Sequence, residues 1–270
     1  MKKPLIIGVG FILVLAGLGF GGWKFFNRTQ PVPPAPVAPV KKKITEPVNV
    51  IEVAARPYML LSPDAGGHYL TINVLDLKKD ATSMDFEIEY QSGSLLQGFY
   101  GNLAVDKLPA KDTKLFGSKS AGGSITYHED IRGGNILSRF SGGAETYALK
   151  SEWKMISTKE AQGVYTSKDA KFELDTSDLK EHQYIIIFNS PGYPAGLSGK
   201  VISEIYSLGA AAPMSGKAQI KIRAKEEGKA VIMSYDGQAW HEYPAQADSS
   251  DAKLFGAEVE LAQLYVVVAK

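Results

Sequence analysis

Alternating apolar and charged residues constrain the fold of this chain more than any other feature of its sequence. In MDFEIEY, acidic residues alternate with an apolar set that consists of Met84, Phe86, Ile88 and Tyr90. The same period of two runs through residues 68–75, 146–156 and 216–224. Successive side chains of a β-strand point to opposite faces, so such a strand buries one face and exposes the other to water. The pattern predicts antiparallel sheets with one solvated face.

Two other segments are apolar throughout, namely YIIIF at residues 184–188 and LYVVVA at residues 264–269. Runs of this length and composition are typical of central strands that are covered on both faces. Glycine pairs separate many of the candidate strands, and no segment after residue 23 keeps a helical period of 3.6 over three turns. The sequence therefore predicts an all-β fold of antiparallel β-sandwiches.

The N-terminus predicts a membrane anchor at residues 1–23. Residues 4–23 carry no charge and are long enough to cross about 30 Å of hydrocarbon as a helix. A cleaved signal peptide is the alternative, but its apolar region is usually shorter, about 7–15 residues, and no small-x-small cleavage site follows. We expect a single-pass protein of the cell membrane, with the N-terminus cytoplasmic and the β-domains extracytoplasmic, because the tail before the span is too short to be the translocated end.

A proline-rich and basic linker is predicted at residues 24–47. Its core, QPVPPAPVAPV, cannot form a helix or a central strand and favours a semi-extended spacer. Seven of the 30 basic residues precede Ile44, which leaves 23 basic and 29 acidic residues and a net charge of −6 in the remainder. That charge argues against a nucleic-acid partner, since phosphate binding requires clustered positive charge.

The segment NSPGYPAGLSG, residues 189–199, is the best candidate for a domain boundary because it combines prolines and glycines after a strong strand. It divides the remainder into a β-sandwich domain at residues 48–189 and a second one at residues 190–270.

The second part carries a recognisable order of motifs: VISEIYSLGAAAPMSGKAQIKIRA, then the Asp-Gly-x-x-Trp hairpin of VIMSYDGQAWHEYPA, then LAQLYVVVA. This order resembles the Ig-like or ZU5-like sandwich modules of bacterial surface proteins. Residues 56–153, from RPYMLLSPDAGGHYLTINV to a Tyr-x-Leu-x-Ser-x-Trp strand, are similar to the ectodomains of single-pass bacterial surface proteins. The resemblance implies an extracytoplasmic location and supplies no catalytic residues.

Catalytic and metal-binding motifs are weak in this sequence. His128, Glu129 and Asp130 form the densest polar triplet, but the other histidines, His68, His182 and His241, lie in different segments, so no zinc ligand spacing results. Cysteine is absent, which excludes thiolate catalysis and disulfides. We therefore expect no enzyme activity, no metal and no cofactor. An envelope hydrolase or enzyme accessory, with acidic residues such as Glu129 and Asp130 converging in space, is the remaining catalytic alternative.

Three aromatic residues are candidates for ligand contact, namely Phe99, Tyr100 and Trp240. A two- or four-residue turn at Asp236-Gly237 places Trp240 on the face of Tyr235 and sends His241 to the other face, whereas a three-residue turn reverses this. We expect Trp240 to fill a core. The predicted function is non-catalytic adhesion, envelope scaffolding or partner binding, with a carbohydrate- or peptidoglycan-binding module as the alternative.

Overall fold

The computed structural model describes residues 44–270, and the predicted membrane anchor and most of the predicted linker lie outside these residues. Two short helical segments are a 3-10 helix at Val53–Ala55 and α1 at Thr158–Ala161. The strands of the first part are β1 (Tyr58–Pro63), β2 (Tyr69–Asp76), β3 (Ser83–Ser92), β4 (Leu95–Ala104), β5 (Ala110–Leu115), β6 (Gly117–Lys119), β7 (Ile125–Tyr127), β8 (Ile131–Ser141), β9 (Tyr147–Ser157), β10 (Val164–Thr166), β11 (Phe172–Asp175) and β12 (Tyr184–Asn189). Those that follow are β13 (Lys200–Val201), β14 (Tyr206–Gly209), β15 (Lys217–Arg223), β16 (Ala230–Tyr235), β17 (Trp240–Pro244), β18 (Gln246–Asp248), β19 (Asp251–Glu260) and β20 (Leu264–Ala269).

These strands form four antiparallel sheets, which confirms the all-β prediction for the described residues. The largest sheet has ten strands in the order β17-β16-β20-β14-β12-β9-β8-β3-β4, with β13 added beside β20. The others are a five-stranded sheet (β10-β11-β15-β19-β18), a three-stranded sheet (β1-β2-β5) and the β6–β7 hairpin. Within residues 44–270, no helix is both long and apolar enough to span a membrane.

The alternating segments bury the faces that their patterns predict. On β3 the four apolar side chains are almost completely buried, and on β15 the buried set is Ala218, Ile220 and Ile222. Strand β9 also alternates, with Ser151 on its buried face, and departs from the pattern only at Ala148, which is buried on the other face. Ala148 forms an isolated bridge with Val48, so the segment before β1 lies against β9. Glu46 also makes an ion pair with Arg139 of β8. The end of the predicted linker is thus joined to the sheet.

The two uninterrupted apolar runs form central strands, as predicted. β12 pairs with β9 on one edge and β14 on the other, and β20 lies between β16 and β14. On β12 the side chains of Ile186 and Phe188 enter one hydrophobic core, and those of Ile185 and Ile187 enter another. Because consecutive side chains of a strand point to opposite faces, the ten-stranded sheet has a core on each face at β12.

The first core lies between the ten-stranded sheet and the three-stranded sheet, and it includes Trp153 and Phe116. The second core lies between the ten-stranded sheet and the five-stranded sheet, and it includes Phe172, Tyr206 and Tyr265. Each core is therefore enclosed by two facing sheets, as in a β-sandwich.

The division predicted at residues 189 and 190 does not coincide with a gap between sheets or cores. The ten-stranded sheet continues from β12 to β14 across the proline- and glycine-rich segment, and β11 pairs with β15. The described residues, 44–270, belong to one compact unit. The composition of the segment predicted a linker between domains, but the segment connects β12 to β13, two strands of the same sheet, which also requires turn residues.

Candidate functional site

The β16–β17 hairpin carries Trp240, the candidate residue nearest to a large groove. Tyr235 is paired with Trp240 and Ser234 with His241, which leaves a four-residue turn from Asp236 to Ala239. Residues that are paired directly across an antiparallel ladder lie on the same face. Trp240 therefore shares the face of Tyr235, and His241 lies on the other face, as one of the sequence alternatives predicts.

The carboxylate of Asp236 organises this turn. Its Oδ1 accepts hydrogen bonds from the backbone N–H groups of Gln238 at 2.7 Å and Ala239 at 2.8 Å, and its Oδ2 lies 2.8 Å from Nε2 of His241. Gly237 has a φ of +106°, a conformation that side-chain-bearing residues rarely adopt. The hydrogen bond to Ala239, the one to His241 and the one to Gln238 lower the pKa of Asp236 to about 2.

We predict that Asp236→Asn makes the stability of the protein less dependent on acid pH. The pKa of Asp236 is lowered in the folded state, so its contribution is present above its unfolded pKa of about 4 and is lost as the pH falls towards about 2. The asparagine keeps an acceptor for the turn but does not titrate. Urea unfolding between these pH values should therefore show a smaller loss of stability in the variant than in the natural protein.

Asp106→Asn is the matched control for this experiment, because Asp106 is exposed and makes no side-chain hydrogen bond within residues 44–270. Its pH dependence should equal that of the natural protein. Identical acid profiles for Asp236→Asn and the natural protein would contradict the role assigned to Asp236.

Trp240 belongs to a cluster of four aromatic residues, Tyr58, Tyr193, Tyr235 and Trp240, which we call the aromatic cluster. The Trp240 ring centroid lies 5.3 Å from that of Tyr235 and 6.4 Å from that of Tyr193, and Tyr58 meets Tyr235 edge to face at 6.1 Å. Such separations are favourable for aromatic pairs. Burial raises the pKa of Tyr58 far above its usual value, so its hydroxyl is protonated and donates to Oε1 of Gln263 at 3.4 Å.

Trp240 does not fill a main core, contrary to the prediction. It is partly buried on the edge strand β17, where it packs against a small cluster formed by residues such as Leu264 and Val266 of β20. Its Nε1 donates to the carbonyl of Ala195 at 3.0 Å. The length of the turn determines its face, but the neighbour that covers it comes from the segment 189–199, which the sequence pattern does not relate to this hairpin.

A groove of about 690 Å³, which we call the aromatic groove, lies beside the aromatic cluster. It is lined by Tyr58, Leu60, Ser62, Asn73, Leu75, Asp76, Pro109, Pro194, Ala195, Tyr235, Gly237 and Gln263. Trp240 is not part of this lining, but its hydrogen bond to Ala195 holds one wall in place. Asp76 is the one charged residue of the lining, and Lys78 makes an ion pair with it.

The other two candidate aromatic residues, Phe99 and Tyr100, lie on opposite faces of β4. Phe99 packs against the first core, with its ring 5.7 Å from that of Tyr90 and 6.1 Å from that of Phe116. Tyr100 is 38% exposed and lies on the outer face of the sheet. The structure therefore separates this pair, and neither residue is among those that line the aromatic groove.

A second concavity, the polar cleft, has a volume of about 510 Å³ and brings together His68 and His128, which the sequence places 60 residues apart. The His68 ring stacks on Tyr127 at 4.0 Å, and a hydrogen bond of 2.8 Å joins Nδ1 of His128 to the Tyr90 hydroxyl. Burial raises the pKa of Tyr90 to about 12, so this hydroxyl is protonated at neutral pH and can donate to the imidazole. The two histidines line the same cleft only because the fold brings their two segments together.

The acidic residues of the polar cleft do not form a metal site. Within residues 44–270, no three His, Cys, Asp or Glu side chains are placed to hold a metal ion together. Both oxygens of Asp130 are engaged by Arg132, at 3.1 Å from Nε and 3.1 Å from the terminal guanidinium nitrogen. The polar triplet at residues 128–130 is thus divided between a tyrosine contact and an exposed ion pair.

Comparison with known proteins adds no family to this description: no protein-family model matches the chain, and no curated protein or solved structure matches it significantly.

Proposed function

We propose that the chain is a non-catalytic binding protein of the cell envelope, held at the membrane by residues 4–23, and that the aromatic groove is its binding site. The observation that carries the proposal is the groove itself, with aromatic and proline walls and a single charged residue that is already paired. Ligand sites are usually concave and largely apolar, with a few polar groups that orient the ligand. The anchor and the resemblance to bacterial surface proteins support the envelope location.

The second candidate function is the binding of a carbohydrate or of peptidoglycan, and the polar groups of the groove favour it. Ser62, Asn73 and Gln263 provide neutral hydroxyl and amide groups in the lining that also contains Tyr235. Sugar hydroxyls match neutral donors and acceptors, while a sugar ring packs on an aromatic face.

The facing sheets that enclose each core are also consistent with the Ig-like or ZU5-like modules that the sequence resembles.

A binding experiment with the full-length chain tests the proposal. The protein is applied to a glycan array and to isolated peptidoglycan, and in parallel it is used as bait in an extract of the whole envelope. We expect Tyr235→Ala to weaken the binding that the natural chain shows by about tenfold or more, because aromatic anchors dominate the energy of such interfaces. Binding to a saccharide on the array or to peptidoglycan would indicate the second function, whereas capture of a protein from the extract would indicate partner recognition.

Tyr127→Ala is the matched control, because Tyr127 is 40% exposed and lies on the separate β6–β7 hairpin. It should leave binding unchanged. Equal binding by Tyr235→Ala and the natural chain would show that the aromatic groove is not the binding site.

A further inference from the structure

The edge strand β4 differs from the other sheet edges in the described part of the chain. It has ten residues, LLQGFYGNLA, with no charged residue and no proline. Its ladder with β3 runs through ten consecutive pairs without a bulge, and β3 is its only partner strand within residues 44–270. An edge strand presents a row of backbone groups that another strand can pair with, and proteins usually block such edges with charges, proline, bulges or short length.

The remaining sheet edges carry these protective features. β17, at the other end of the ten-stranded sheet, contains His241, Glu242 and Pro244. β5 carries three charged residues, and β10 and β18 have only three residues each. β1 is uncharged but covered, since Oγ of Ser190 donates to the carbonyl of Met59 at 3.0 Å. Among the sheet edges of residues 44–270, only β4 is long, uncharged and open.

The outer end of β4 also exposes large apolar side chains. Leu95 is 61% exposed and Leu96 is 68% exposed. They are consecutive residues at the start of the strand and point to opposite faces of the sheet, and each is paired with a polar residue of β3, Ser92 and Gln91 respectively. Exposed leucines next to an unpaired strand edge are a combination that an isolated soluble chain usually avoids.

We propose that β4 pairs with β4 of a second copy of this chain, joining two ten-stranded sheets about a two-fold axis. In a two-fold antiparallel pairing, β4 lies beside β4 of the other copy. A charged residue near the axis would therefore face the same residue of the other copy, and two like charges placed opposite each other are destabilising. The strand has no charge, and this repulsion is absent in every register. The pairing gives hydrogen-bond partners to the outer backbone groups of β4. This inference goes beyond the proposed function and does not depend on it.

Cysteine crosslinking of the full-length chain tests the pairing, because the natural sequence contains no cysteine. Single cysteine variants at each position of β4, from Leu95 to Ala104, are oxidised with copper phenanthroline, and dimers are counted by non-reducing electrophoresis. Disulfides require Cβ atoms about 3.5–4.5 Å apart, so only positions next to the two-fold axis should react. We expect one or two neighbouring positions to give several-fold more dimer than the others.

Val164→Cys is the control, because Val164 is 45% exposed on the three-residue edge strand β10. A second measurement is the mass of the uncrosslinked protein by sedimentation: we expect a dimer for the natural chain and a shift to monomer for Leu96→Lys. Dimer yields at every β4 position equal to that of Val164→Cys, together with a monomeric natural chain, would overturn the proposal.

Discussion

Replacing Trp153 by alanine is expected to lower the free energy of unfolding by about 3–5 kcal/mol, the range for removing a large aromatic side chain from a core. Trp153 has no exposed surface, and its ring stacks on Phe116 with centroids 5.9 Å apart. It lies on β9, in the middle of the ten-stranded sheet, where strands on both sides prevent the site from collapsing. Chemical unfolding followed by far-ultraviolet circular dichroism measures the effect.

The control for this substitution is Trp153→Phe, which keeps an aromatic ring against Phe116. The indole Nε1 has no hydrogen-bond partner among the described residues, so its removal leaves no buried partner unsatisfied. We expect a clearly smaller loss of stability than for alanine. An equal loss in the two variants would contradict the assignment of the effect to the cavity that alanine leaves.

The second large effect is expected for Gly209→Ala, at the contact between the three-stranded and ten-stranded sheets. A Cβ atom on Gly209 would lie 1.8 Å from the carbonyl oxygen of Leu61 and 3.1 Å from Cα of Ser62. Both atoms belong to the backbone of β1, so no side-chain rotation can relieve the overlap. We expect a destabilisation at or above the upper end of the usual range for overpacking, about 3 kcal/mol, measured by thermal and urea unfolding.

Gly122→Ala is the control for this glycine, since the nearest atom to its added Cβ would be Oγ of Ser120 at 3.9 Å. Its stability should equal that of the natural protein. Normal stability of Gly209→Ala would show that β1 and β14 approach each other less closely than described above.

Individual strands were predictable because a half-buried strand has a distinct pattern. The alternation around Phe86 and Ile88 reports burial on one face, which is a property of the local chain. The run YIIIF likewise predicted a strand that is covered on both faces. Nothing in that run indicates that Ile186 and Ile187 enter different cores, because the covering sheets are formed by residues far away in the sequence.

The candidate site was predictable only to the same local extent. The length of the turn decides the face of Trp240, and the Asp-Gly pair restricts that length to a few values. Its contact with Tyr193, and the contact of Tyr235 with Tyr58, depend on how three separate segments pack. The presence of both His68 and His128 in the polar cleft likewise depends on how distant segments pack, and no spacing in the sequence predicts it.

Because β12 contributes side chains to both cores, the unfolding of one core is coupled to the unfolding of the other. This strand is hydrogen-bonded on both edges, and it contributes Ile186 and Phe188 to one core and Ile185 and Ile187 to the other. Removing it from either sandwich exposes apolar surface in both at once, so the free energy of losing one core includes part of the other. We therefore expect the described part of the chain to unfold as one cooperative unit, although its two main cores lie on opposite faces of the ten-stranded sheet.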